Sequence, residues 1–82
     1  MIKIYSTTWC PSCRAAKLLL DSLNLKFEEI NIEEIGISRE KLREMTGGHT
    51  VPQIMINDTF IGGYDKLLML NQTGKLEKLI NK

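Results

Sequence analysis

Residues 2–23 read IKIYSTTWCPSCRAAKLLLDSL, and two hydrophobic periods meet inside that stretch. Ile2 and Ile4, with the β-favouring Tyr5, alternate along residues 2–6 as a strand does. From Pro11 to Leu23 the spacing becomes helical. Ala15, Ala16, Leu18, Leu19, Leu20 and Leu23 recur on a helical period, while Arg14, Lys17 and Asp21 fall mainly elsewhere. Pro11 suits the first helical position, where a missing N–H costs nothing. Cys10 and Cys13 lie at the junction, so a strand runs into a helix through a Cys-x-x-Cys segment.

Downstream, Lys26 to Ile32 places Phe27, Ile30 and Ile32 in an imperfect alternation that predicts a second strand. Ser38 can cap a helix running to about Thr46, with Ile37 as the preceding apolar residue, and Gly47-Gly48 stops it. Gln53–Ile56 and Thr59–Ile61 flank Asn57-Asp58, the signature of a two-residue hairpin turn. Tyr64 to Asn71 returns to helical spacing, and Leu76, Leu79 and Ile80 suggest a last short helix after Gly74. Met45, Met55 and Met69 read as core fillers. The order β-α-β-α-β-β-α joins a right-handed crossover to a hairpin. It predicts an α/β fold, a mixed sheet with helices on both faces, and leaves the strand order open.

A chain of 82 residues suits one domain, residues 1–82. Its 43% hydrophobic and 26% charged residues are those of an ordinary soluble globular protein. Eleven basic and ten acidic residues give a net charge of +1, which offers no electrostatic footprint for nucleic acid or an anionic membrane. No apolar run approaches the roughly 20 residues that span a bilayer. Met1 to Tyr5 lacks the basic and apolar regions of a signal peptide, so a cytoplasmic setting is expected.

In a reducing compartment a two-residue spacing between cysteines makes a poor structural staple, because the loop it closes is too short to constrain the unfolded chain. A closed zinc site needs four ligands, and the chain offers only two cysteines and His49 as nitrogen and sulfur donors. Carboxylates or a second chain would have to complete it. Redox chemistry fits better. The attacking species in disulfide exchange is the thiolate, and a helix N-terminus favours an anion through its unpaired N–H groups and dipole. Cys10 falls just before the helix, and Cys13, three residues on, is near enough to resolve a mixed disulfide. Arg14 and Lys17 can add positive potential, or can be solvated helix charges. His49 reads as a loop residue rather than a catalytic base.

With Ile4-Tyr5-Ser6, Trp9-Cys10-Pro11-Ser12-Cys13, Thr50-Val51-Pro52-Gln53-Ile54 and Gly62-Gly63-Tyr64-Asp65 in one chain, the sequence resembles the glutaredoxins of the thioredoxin superfamily, nearly end to end. The resemblance implies a thioredoxin-like fold with a four-stranded mixed sheet and a cis Val51–Pro52 bond beside the cysteines. It implies that Cys10 is the nucleophile and Cys13 the resolving thiol. Thr50, Val51, Pro52 and Asp65 would hold glutathione or an extended substrate, with Pro11, Ser12, Arg14 and Lys17 in support. Asp65 also has a plain structural reading, as an acidic residue in the first turn of a helix. The implied co-substrate is glutathione or a similar thiol, with no permanently bound cofactor and no metal. Disulfide-containing or glutathionylated proteins would be the partners of a monomer.

Many members carry tyrosine where this chain has Ser12, and lysine where it has Thr7. Trp9 is similar to thioredoxin and mycoredoxin sequences, or is a packing residue on the rim of the motif. Two further readings stand beside the first, one motivated by Ser12 and Thr7 and the other by what some members of the family do. One is a glutaredoxin-like thioredoxin served by thioredoxin reductase or another thiol. The other is a dimer holding an iron–sulfur cluster.

Overall fold

The computed structural model describes residues 1–48 and 50–81, so the loop reading of His49 lies outside the described residues. The elements are β1 (Ile2–Ser6), α1 (Pro11–Ser22), β2 (Glu28–Asn31), α2 (Arg39–Thr46), β3 (Gln53–Ile56), β4 (Thr59–Gly62), α3 (Tyr64–Gln72) and α4 (Lys75–Ile80). The sheet order is β2-β1-β3-β4, which resolves the open question of strand order. β1 pairs parallel with β2 and antiparallel with β3, and β3 pairs antiparallel with β4.

Alternation along β1 divides the interior into two layers. Ile2 and Ile4 face one way, opposite Ile56 and Ile54 of β3, and pack with Ala16 and Leu20 of α1, Leu67 and Leu70 of α3 and Leu76 of α4. Tyr5 faces the other way and packs with Ile32 and with Leu42 of α2. Helices therefore cover both faces, as a mixed α/β sheet requires.

Local signals set most element ends. The Ser38 hydroxyl accepts the Lys41 N–H at 3.1 Å, and Gly47 closes α2 in the left-handed region at φ 85°. Asn57 and Asp58 both have positive φ, 48° and 69°, as a primed hairpin turn demands.

Three expectations need correcting. The second strand is shorter than residues 26–32. β2 is an edge strand paired only with β1, and Ile32 lies just past it, buried in the smaller core. Met45 and Met69 are exposed rather than core fillers, and Met55 is only half-buried. Leu42 is the one buried residue of α2, and Met69 falls between the buried Leu67 and Leu70 on α3. Leu18 is likewise 62% exposed, because the buried stripe of α1 runs through Cys13, Ala16 and Leu20.

Leu20 is fully buried between α1, the sheet and α3. Leu20→Ala is expected to cost about 2–5 kcal/mol of stability, read from urea denaturation at neutral pH. A loss under about 1 kcal/mol would show that this contact does not seat α1 on the sheet.

Candidate active site

Cys10 is the N-cap of α1. Its backbone is extended, with φ −151° and ψ 97°, and its carbonyl accepts the first helical bond from Arg14 at 3.1 Å. Where a serine or aspartate oxygen would usually cap, the Cys10 sulfur accepts the Cys13 N–H at 3.0 Å. The two cysteines are joined as a disulfide with Cα atoms 5.1 Å apart. Cys13 is buried while Cys10 keeps an accessible face.

The Val51 carbonyl lies 3.6 Å from the Cys10 sulfur, beside the cis Val51–Pro52 bond. In the disulfide that sulfur carries no proton, so this is a contact only. After reduction the two neighbours pull in opposite directions, since the carbonyl can accept from a thiol and the Cys13 N–H can donate to a thiolate. The donor is closer, and its bond becomes charge-assisted on ionisation, roughly twice the strength of a neutral one. Together with the helix N-terminus, this favours the thiolate at Cys10.

Ser12, Thr50, Val51, Pro52 and Asp65 line one cleft of about 610 Å³, which brings together all four residues expected to hold the substrate. Gly63 explains how Asp65 gets there. It is the N-cap of α3, and a side-chain carbon on it would stand 3.3 Å from the Pro52 carbonyl oxygen, so the helix start lies close against the Val51–Pro52 bond. Gln53 was not anticipated. Its buried amide donates to the Thr50 carbonyl at 2.9 Å and braces the cleft wall from behind. Tyr64, Lys66 and Met69 also line the cleft. Helical spacing from Asp65 to Met69 was the only signal in the sequence that could have grouped those two.

Arg14 and Lys17 are not in the cleft. Arg14 and Pro11 line a neighbouring groove with Trp9, Cys10, Ala15 and Leu18. Lys17 donates to Glu29 at 2.8 Å, and the fully buried Ser6 hydroxyl donates to the same carboxylate oxygen at 2.8 Å. The Lys17 bond holds the Glu29 pKa below its ordinary value against the opposing cost of partial burial, with Ser6 assisting. Lys17 is thus paired with a carboxylate and lends the cysteines little net positive potential.

Trp9 is 88% exposed, which overturns its reading as a packing residue. Its loop is nonetheless held: the Thr8 N–H donates to Glu33 at 3.0 Å, and Asn31 donates to the Thr8 hydroxyl at 3.2 Å. A further groove is shared by Thr7, Thr8, Trp9, Ser38 and Arg39. Among the described residues, no helix is long and apolar enough to cross a membrane, and no group of three or more His, Cys, Asp or Glu side chains could hold a metal ion.

The glutaredoxin family model matches residues 2–61. A Pseudomonas aeruginosa glutaredoxin is 41% identical over 80 residues, covering 98% of this chain and 95% of the relative. Escherichia coli glutaredoxin 3 is 39% identical over 79 residues, with 96% and 95% covered. The crystal structure of a buckwheat glutaredoxin–glutathione complex superposes with a TM-score of 0.88 at 28% identity, over 98% of this chain and 76% of that one. The solution structure of a Brucella melitensis glutaredoxin gives 0.83 at 36% identity, over 99% and 90%.

The lowered Glu29 pKa makes a signed prediction. A carboxyl whose pKa is depressed by folding contributes stability above its unfolded value and loses that contribution as pH falls through the folded value. Both partners are about one-third exposed, so Glu29→Gln should cost no more than about 1 kcal/mol near neutral pH. The gap between wild-type and variant urea midpoints is expected to shrink between pH 6 and pH 3. A gap that widens towards acid would contradict the assignment.

Proposed function

The chain belongs to the glutaredoxin family of thiol–disulfide oxidoreductases, and on that premise we propose that it reduces protein disulfides and glutathione-mixed disulfides, with glutathione as co-substrate. The observation that carries this reading is the Cys10 sulfur at the N-cap of α1, accepting the Cys13 N–H at 3.0 Å beside the Thr50–Pro52 wall. The Cys10 thiolate attacks a disulfide sulfur, forms a mixed disulfide and expels one thiolate. Cys13, once deprotonated, attacks Cys10 in that intermediate, releases the second thiolate and closes the Cys10–Cys13 disulfide. Two glutathione molecules then return both cysteines to thiols and leave as glutathione disulfide. On a glutathionylated protein, Cys10 alone suffices, taking the glutathionyl group before a second glutathione removes it.

The exposure difference supports these roles, since an incoming disulfide reaches Cys10 before the buried Cys13. The buckwheat protein was crystallised with glutathione, which supports the same ligand here. In this reading the Val51 backbone pairs with the tripeptide as an added strand would. Thr50 and Asp65 hold its γ-glutamyl end, the carboxylate taking the amino group. Thr7 lacks the charge of the lysine common at its position, and Arg39, lining the same groove, supplies a cation for the glycine carboxylate. One chain carries both cysteines and the cleft, so residues 1–82 act as one domain and a monomer suffices. The setting is the cytoplasm, where reduced glutathione is available.

Cys10→Ser is expected to abolish glutathione-coupled disulfide reduction, whereas Cys13→Ser keeps deglutathionylation. Equal activity of Cys10→Ser and wild type would overturn the assignment of the nucleophile. Asp65→Asn and Arg39→Ala are each expected to raise the KM for a glutathione-mixed disulfide about tenfold, the scale of one charged hydrogen bond, with kcat little changed. An unchanged KM in both would remove the Asp65 cleft and the Arg39 groove alike from glutathione binding. Efficient turnover with a flavin thioredoxin reductase and none with glutathione would transfer the electron donor.

A further inference from the structure

The cleft that receives the tripeptide does not contain the exposed apolar surface beside Cys10. That surface is a groove of about 230 Å³ formed by Trp9, Cys10, Pro11, Arg14, Ala15 and Leu18; it shares no lining residue with the cleft of Thr50 and Asp65 and meets the Thr7–Arg39 groove only at Trp9. We propose that this groove docks the polypeptide of the target protein, taking an apolar side chain next to the target cysteine, with an acidic neighbour placed on Arg14. The proposal deepens the oxidoreductase reading by naming what selects the protein half of the substrate.

Four observations carry it. Cys10 is itself a wall of the groove, so the occupant must be compatible with whatever is covalently joined to that sulfur. The volume falls below the roughly 300–1,000 Å³ of small-molecule pockets, which suits one or two side chains rather than a free ligand. Trp9 and Leu18 are 88% and 62% exposed, and large apolar groups left in water beside a reacting atom are the usual mark of an interaction site. The Arg14 guanidinium has no ion pair among the described residues, unlike Lys17 on the same helix, so its charge is open to a partner's carboxylate.

The groove is also preorganised. Leu18 and Arg14 project from one helix, and the loop bearing Trp9 is pinned through Thr8 to Glu33 and Asn31. Little ordering remains for the partner to impose on binding. Tryptophan and arginine are the residues most enriched among energetic anchors of interfaces. From Pro11 to Leu18 the helix rises about 10 Å, the reach of roughly three extended residues. Recognition is therefore confined to the immediate neighbours of the target cysteine.

Single-turnover reduction of short peptides tests this without glutathione. Each peptide carries one cysteine in a mixed disulfide with 2-mercaptoethanol. Reaction with the reduced protein releases the peptide thiol and mercaptoethanol and leaves Cys10 and Cys13 oxidised, so two electrons pass. A peptide with leucine and glutamate beside its cysteine is expected to react about tenfold faster than one with serine and lysine, the scale of one buried apolar side chain. Leu18→Gln should erase most of that preference while leaving the reduction of bis(2-hydroxyethyl) disulfide within about twofold, since the small disulfide has no side chain for the groove. Arg14→Glu should favour the lysine peptide over the glutamate one. Trp9 is the only tryptophan, so trapping the leucine peptide on Cys10 of Cys13→Ser should shift its emission to the blue. Equal rates for the peptides, or a Leu18→Gln loss shared by the small disulfide, would overturn the proposal, as would unchanged emission in the trapped adduct. Failure of glutathione to support turnover of the small disulfide would refute the co-substrate instead, leaving the peptide rates to decide the groove.

Discussion

The N–H of Cys13 reaches the sulfur of Cys10 across the first turn of α1, and the rest of the site is arranged around that bond. It requires Cys10 to be extended and Pro11 to be helical, and Pro11 meets the second condition with its fixed φ and missing donor. It also requires the helix to begin where β1 has just ended. That junction is held from inside the molecule by Ile4 against Ala16 and Leu20, all fully buried. A sulfur in this position caps the start of the helix and, once reduced, lies where a thiolate is favoured.

The second half of the site arrives from far along the chain. β3 pairs antiparallel with β1 in the centre of the sheet, which brings Thr50, Val51 and Pro52 up to Cys10. Gly63 then allows α3 to start against Pro52 and carry Asp65 to the same cleft. Gln53 braces Thr50 from the interior, and Gly48 leaves room for its amide, since a side-chain carbon there would stand 2.6 Å from the Gln53 nitrogen. The cleft thus depends on two glycines and one buried amide that have no chemical role of their own.

Electrostatics at the cysteines come from the backbone at the helix start and from Arg14, with little from Lys17. Lys17 is paired with Glu29, and Ser6 is bound to the same carboxylate, so this charge pair ties α1 to β2. What remains beside Cys10 is the row of N–H groups at the helix start, which no change of pH removes. Arg14 faces outward beside it, and Trp9 and Leu18 extend that face. Cys10 therefore stands between two unlike surfaces, the mixed cleft that holds Thr50 and Asp65 and the more apolar groove of Trp9 and Leu18.

Much of this was legible from local sequence. The strand from Ile2, the helix from Pro11, the Ser38 cap and the Asn57-Asp58 turn depend on interactions within a few residues, and the structure has them where the sequence placed them. The cysteine pair and its setting at a helix start were equally local, and the sequence by itself determined the family and the redox chemistry. Strand order was not local, because alternation tells which side of a strand is apolar and not which strand lies next to it. The same reason explains the errors at Leu18, Met45 and Met69. A period identifies residues that could be buried, but only a neighbouring element covers them, and the sheet and α3 cover a narrower stripe of α1 than its leucines offer. Tertiary structure alone decided that Lys17 pairs with Glu29, that Gln53 supports Thr50, and that Trp9 stands in solvent. Each of these depends on distances between segments far apart in the chain, which no spacing along the sequence records.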